Sequence, residues 1–170
     1  MTERNEPLTG HPPAGERRSA GRRELLSGML FGCGVAACMI DLFVFHLGLH
    51  WHHFYDRSTP GVALTADGFF HAFGWFITVW ALFLLADLRR WATVRWPRWC
   101  AAVITGTGLF QLFDGVVDHK LLRIHQIRYG VDLLPYDVTW ITASLVLLGL
   151  GALGLRRYPH AQPRSQPRRD

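Results

Sequence analysis

Apolar residues in this chain are gathered into four blocks instead of being spread in amphipathic stripes. Each block is close to the roughly 20 residues that a helix needs to cross a bilayer. The pattern predicts helices over about residues 25–49, 66–88, 98–119 and 136–155. The fold class that follows is an all-α integral membrane protein, a four-transmembrane-helix bundle occupying residues 25–157. Residues 1–24, MTERNEPLTGHPPAGERRSAGRRE, are polar and rich in Pro, Gly and Arg. They carry too little apolar surface to offset the entropy of ordering, so a disordered tail is expected there, and a second one over residues 158–170. The charged start and small-residue cleavage site of a secretory signal are not evident, so the first helix is expected to stay as an anchor.

Composition agrees with this pattern. Hydrophobic residues make up 49% and charged residues 18% of the chain, and the mean hydropathy is positive, +0.11; an ordinary soluble domain is excluded. The net charge of +5 does not point to nucleic acid, because the arginines cluster at helix ends and not along an aromatic-interleaved surface. Arg17, Arg18, Arg22 and Arg23 precede the first helix, Arg89, Arg90, Arg95 and Arg98 fill the second connection, and Arg156 and Arg157 follow the fourth helix. By the positive-inside rule both termini and the middle connection are cytoplasmic. Trp91, Trp96 and Trp99 fit an interfacial belt on that side, and Asp87 beside Arg89 and Arg90 reads as an interfacial ion pair. Cys33, Cys38 and Cys100 are odd in number, lack CxxC spacing and read as buried apolar side chains. The partner implied is the lipid bilayer; a homo-oligomer and a respiratory-chain partner stay open.

Depth along the helices then sorts the polar residues. Asp41 and His46 lie in the outer half of the first helix, with His50, His52 and His53 at its end. Asp67 and His71 open the second helix from the same side, and Asp114, Asp118 and His119 close the third, with His125 just beyond. Seven of the nine histidines therefore stand at one end of the bundle. A carboxylate this deep costs several kcal/mol unless paired, and such residues normally face the bundle interior. Asp41 and Asp114 are the deepest.

The segments DLFVFHLGLHWH (41–52) and DGVVDHKLLRIH (114–125) share the pattern Asp-x4-His-x5-His. Asp41, His46 and His52 thus correspond to Asp114, His119 and His125, and the fold is expected to be two repeated helical hairpins about a pseudo-twofold axis along the membrane normal. His71 has no counterpart, since Trp140 lies near the matching place. Imidazoles and carboxylates from facing helices are the ligands that suit zinc, iron, manganese or copper(II). On a straight α-helix Asp41 and His46 point about 140° apart, and His52 returns to the Asp face about 16 Å along the axis. One repeat alone then cannot surround an ion unless the helix ends near Gly48 and the later histidines fold back. The alternative is favoured, that ligands come from different helices, with His46, His71 and His119 innermost and the aspartates as ligands or orienters of imidazole. Within the first segment, His46, His50 and His53 share a helical face and His52 lies off it.

LHWHH, DGFFHAFGW and DGVVDHKLLRIHQIR together resemble the bacterial membrane family called domain of unknown function 2243, over roughly residues 28–155. The family units typically read Asp/Glu-Gly, then His, then a His-His pair. Here Leu42 replaces the first Gly, Asp114 stands where Glu is usual, and Lys120 and Gln126 stand where a second His often sits. The resemblance implies the fold and the bacterial inner-membrane location, and it leaves Asp41, His46, His52, His53, His71, Asp114, Asp118, His119 and His125 in register as the metal set.

A metal site opening to the periplasmic side is the leading reading, in a membrane metalloenzyme of hydrolytic or oxidative type. Asp114 or Asp118 would act as general base. A non-catalytic metal-binding protein, such as a respiratory-enzyme assembly factor, and a small b-type cytochrome with haem b held by His46 and His119 are the alternatives. Transport is disfavoured because the inner halves of the helices are almost bare of polar residues.

Overall fold

The computed structural model describes residues 13–164. Four helices are long and apolar enough to cross a membrane: Ala14–Gly48, Pro60–Trp91, Trp96–Leu121 and Leu134–Arg157. The first and third are composite. The α-helix α1 (Ala14–Val35) passes without a break into a wider helix over Ala36–Gly48, and α3 (Trp96–Phe113) does the same over Asp114–Leu121. In these wide segments the backbone bonds reach five residues back instead of four. The last of them run from Leu49 N to Val44 O and from Leu122 N to Val117 O, both 2.8 Å. The remaining helices, α2 (Pro60–Trp91) and α4 (Leu134–Arg157), are regular. Proline near the start of each costs no hydrogen bond, because the first amides of a helix have no partner within it.

Central in the bundle are α1 and α3, with α2 packed on α1 and α4 packed on α3. The two central helices meet backbone to backbone. A Cβ added to Gly32 would lie 2.0 Å from the carbonyl oxygen of Val103, and one added to Gly106 would lie 2.0 Å from that of Met29. Close approach of this kind is how helices associate where lipid removes any hydrophobic drive between them. The outer faces are apolar instead. On α2, Phe69, Phe76 and Phe83 recur at seven-residue steps and are 77%, 74% and 68% exposed, a surface suited to lipid tails and not to water.

At the arginine-rich end the helix α1 begins at Ala14, so the disordered tail expected through residue 24 is corrected over 14–24. The reason is Glu24. Its fully buried carboxylate accepts from Arg95 N at 2.7 Å and Ala161 N at 2.8 Å, and lies 3.7 Å from Arg98 Nε. An acid buried this way needs its partners fixed, and fixing them orders the segment. The same contact corrects the tail expected from residue 158. Ala161 is fully buried, and the strand β2 (Gln162–Pro163) pairs antiparallel with β1 (Ala92–Thr93). The remaining tail residues, 1–12 and 165–170, lie outside the described residues. Asp87 pairs with Arg23 of α1 and not with its own neighbours Arg89 and Arg90, while the Arg89 guanidinium lies 5.9 Å from the Trp96 ring centre.

The crossing of α1 and α3 leaves no room for a methyl group. Gly106→Ala should lower stability by roughly 1–3 kcal/mol, the usual cost of overpacking, whereas Gly149→Ala, with nothing within 4 Å, should leave the melting temperature in detergent unchanged or slightly raised.

Candidate metal centre

The wide helices decide the site. Where bonds run five residues back, residues five apart become near neighbours on one face, as residues four apart are in an α-helix. Asp41 and His46 therefore face the same interior, and so do Asp114 and His119. After Leu49 and Leu122 the chain turns back on itself. Trp51 N bonds Phe45 O at 2.9 Å and Ile124 N bonds Asp118 O at 3.0 Å, and the residues at the two turns, His50 and Arg123, both take φ 52°. That turn carries His52 and His125 into the bundle. Each Asp-His-His set is thus assembled within one segment, while ligands drawn from separate helices, the arrangement expected from the sequence, occur in the group that joins His46 with Asp67 and His71 of α2. A straight α-helix could not have done this; the widened turn and the fold-back do.

In the first set, His46 Nε2 lies 3.3 Å from Asp41 Oδ2 and His52 Nε2 lies 3.6 Å from Asp41 Oδ1. In the second, His119 Nε2 lies 3.2 Å from Asp114 Oδ2 and His125 Nε2 lies 3.3 Å from Asp114 Oδ1. All six residues are buried. Two donors on one tetrahedral zinc-like ion, each about 2.1 Å from it, stand about 3.4 Å apart, so the spacing is close to that of shared ligation. Each of these sets could hold a metal ion.

The protonation pattern agrees. His52 Nδ1 lies 2.9 Å from the Ile127 carbonyl, His125 Nδ1 2.9 Å from the Phe54 carbonyl, and His71 Nδ1 2.8 Å from the Ala37 carbonyl. A carbonyl only accepts, so each Nδ1 carries the hydrogen and, on the neutral ring, Nε2 keeps its lone pair. Among the described residues, His46 Nε2, His52 Nε2, His119 Nε2 and Asp114 Oδ2 are buried without a hydrogen-bond partner. Buried polar atoms in native proteins are nearly always partnered; apart from Arg98 Nε at the other end of the bundle, the unpartnered ones are atoms a metal would use.

Asp67 is the residue that the sequence reading left out of the metal set. Its Oδ1 accepts from Phe54 N at 2.6 Å and lies 3.2 Å from His46 Nδ1, and its Oδ2 lies 2.6 Å from His53 Nδ1. His71 Nε2 stands 3.1 Å from the same His46 Nδ1. Asp67, His46 and His71 form a third group that could hold an ion, but a neutral imidazole has only one lone pair to give. With Nδ1–H directed at Asp67, His46 presents Nε2 to Asp41, the carboxylate–histidine arrangement that orients metal-bound imidazoles. The signal was present as Asp67 and His71 one helical turn apart on one face of α2.

The remaining candidates fall at the edge. His53 is half exposed and touches Asp67 alone of the cluster acids, while His50, grouped with His46 and His53 by helical projection, is exposed. Asp118 is buried near enough to Asp114, His125 and Asp41 to feel their charge. Lys120 pairs with Asp137 at 2.5 Å and with Gln126 at 3.2 Å, away from the cluster. The two sets adjoin: the His52 and His125 rings stack at 4.7 Å, and His52 stands 4.9 Å from His46 and 6.0 Å from His119. Trp140 packs on His119 at 5.8 Å, much as His71 packs on His46 at 4.8 Å.

Fold and cluster together define a multi-pass membrane protein with buried His–Asp groups able to hold metal. The chain belongs to the family described as predicted membrane protein (DUF2243), whose sequence model matches residues 27–158. No curated protein and no solved structure matches it.

His125 stands outside the spanning segments. Burial opposes its charge, but the Asp114 carboxylate and the Phe54 carbonyl outweigh burial and hold its pKa above the ordinary value of 6.5. Its imidazolium thus stabilises the metal-free fold fully below the unfolded pKa, and that contribution is lost as pH rises through the folded value. In chelator-treated protein, the gap in melting temperature between wild type and His125→Gln should narrow as pH rises above the ordinary histidine value of 6.5.

Proposed function

We propose that this protein is a membrane metalloenzyme with a two-ion centre, each ion held by two histidines and one aspartate: Asp41, His46 and His52 for one, Asp114, His119 and His125 for the other. The observation that carries this reading is the pair of Asp-His-His sets at ligand spacing, with the Nε2 atoms of His46, His52 and His119 unpartnered. Three protein ligands per ion leave positions open, which favours catalysis over a closed structural site. Two histidines and one carboxylate suit zinc in hydrolases and iron in oxygen chemistry alike. Divalent ions so held would polarise a substrate oxygen and make water a nucleophile near neutral pH.

The chain's own groups take the other roles. Asp67 orients His46, with His53 steadying the carboxylate from its far side and His71 standing behind. Asp114 has both oxygens directed at imidazoles and belongs to the ligand set. That leaves Asp118, buried beside both sets, as the general base of the pair first considered. Haem b fits less well, because the His52 ring stands beside both His46 and His119, where a macrocycle between those axial ligands would have to lie.

The hairpins α1–α2 and α3–α4 are read as duplicated units. Supporting this are the matched distances within the two sets, the φ of 52° at both His50 and Arg123, and the reciprocal bonds of His52 and His125 to each other's connection. The arginine distribution favours cytoplasmic termini and a centre facing the outside of a bacterial inner membrane.

Elemental analysis of detergent-purified protein loaded with zinc, manganese or iron should find about two ions per chain, with no Soret band. His46→Ala or His52→Ala should leave about one ion, as should His119→Ala or His125→Ala. His50→Asn, which keeps a residue tolerant of positive φ, should leave both. Unchanged metal content in the four cluster variants, or a Soret band in the wild type, would overturn the assignment.

A further inference from the structure

Beside α4 runs a cavity of about 510 Å³ with an apolar lining that includes Phe45, Trp51, Tyr136, Trp140, Ala143 and Leu147. From Tyr136 to Leu147 it follows α4 for about 16 Å. Its floor is the T-shaped pair of Phe45 and Trp140, 5.0 Å apart, and the other faces of those two rings meet His52 and His119. Its flanks on α4 belong to the lipid-exposed surface, with Val138, Leu145 and Val146 each more than half exposed.

Against the lining residues Trp51 and Tyr136 stands Arg128. Its Nη1 donates to the Tyr136 hydroxyl at 2.6 Å, and its guanidinium carbon lies 5.2 Å from the Trp51 ring centre and 5.6 Å from that of Tyr136. No carboxylate pairs with it among the described residues, unlike Arg23, Arg98 and Lys120, each of which has an acidic partner. Two aromatic rings fix the plane of the guanidinium, and the single bond to Tyr136 leaves most of its five donors for an anion.

We propose that this groove binds an anionic phospholipid, with one acyl chain lying along α4 against Phe45 and Trp140 and the headgroup phosphate on Arg128. A bilayer-facing slot is reached laterally by lipid, and its volume and lining match those of apolar ligand sites. The cation at its polar end supplies the charge complement that a zwitterionic lipid satisfies less well. This assignment does not depend on metal at the histidine cluster.

Native mass spectrometry of the full chain in neutral detergent, mixed with equal amounts of dioleoyl phosphatidylglycerol and dioleoyl phosphatidylcholine, tests it. The wild type should retain one phosphatidylglycerol with about fivefold preference, the ratio that about 1 kcal/mol per basic residue gives. Dihexanoyl phosphatidylglycerol and free glycerol phosphate should compete poorly, because they lack the chain. Arg128→Gln should abolish the preference, Arg128→Lys should keep part of it, and Ala143→Phe should reduce retention of both lipids. Equal retention of the two headgroups by the wild type would overturn the proposal. So would displacement by glycerol phosphate at concentrations equal to the lipid, or retention undiminished in Ala143→Phe. The wild-type measurements decide the matter even if a variant fails to fold.

Discussion

A carboxylate placed inside a bilayer must be met by partners that leave it neither bare nor bonded to lipid, because burying it alone costs several kcal/mol. Asp41 and Asp114 are met by two imidazoles each. That requirement explains the most unusual part of the backbone. A residue five positions on can reach the same face only where the helix widens, and one eleven positions on can return only where the chain doubles back. The wide segments, the turns at His50 and Arg123 and the burial of nine cluster residues on three helices and two connections are parts of one answer to one problem.

Much of this was legible from residue order alone. Four apolar blocks marked the spans, the one-sided placement of histidine marked the end of the bundle where the His–Asp groups gather, and the repeated Asp-x4-His-x5-His spacing picked out the six residues of the two Asp-His-His sets. What was hidden was helix geometry. The spacing rules of a straight α-helix separate Asp41 from His46, and nothing in AACMIDLFVFHLG announces that the bonds will skip to the fifth residue. Backbone partners were hidden too, since Phe54, Ile127 and Ala37 act through carbonyls that every residue possesses. Glu24 was misread for a related reason. Its own neighbourhood is polar and arginine-rich, and only the distant amides of Arg95 and Ala161 make its burial tolerable.

The two halves are alike within the Asp-His-His sets and unlike behind them. On one side Asp67 and His71 stand behind His46; on the other, Trp140 occupies the space behind His119, and the acid of that helix, Asp137, is drawn outward to Lys120. Polar backing raises the basicity of an imidazole and fixes its ring, whereas indole contributes shape and excludes water. On the proposed two-ion reading, equal ligand sets with unequal surroundings would give the ions different electronic roles, a common requirement when one activates a nucleophile and the other holds the substrate.

The crossed bonds of His52 to Ile127 and of His125 to Phe54 have a mechanical meaning. Each connection is latched by the ring that the other one contributes, so neither can lift by itself without breaking its neighbour's clasp. The two connections are therefore held as one unit, and displacing either breaks a bond that the other makes.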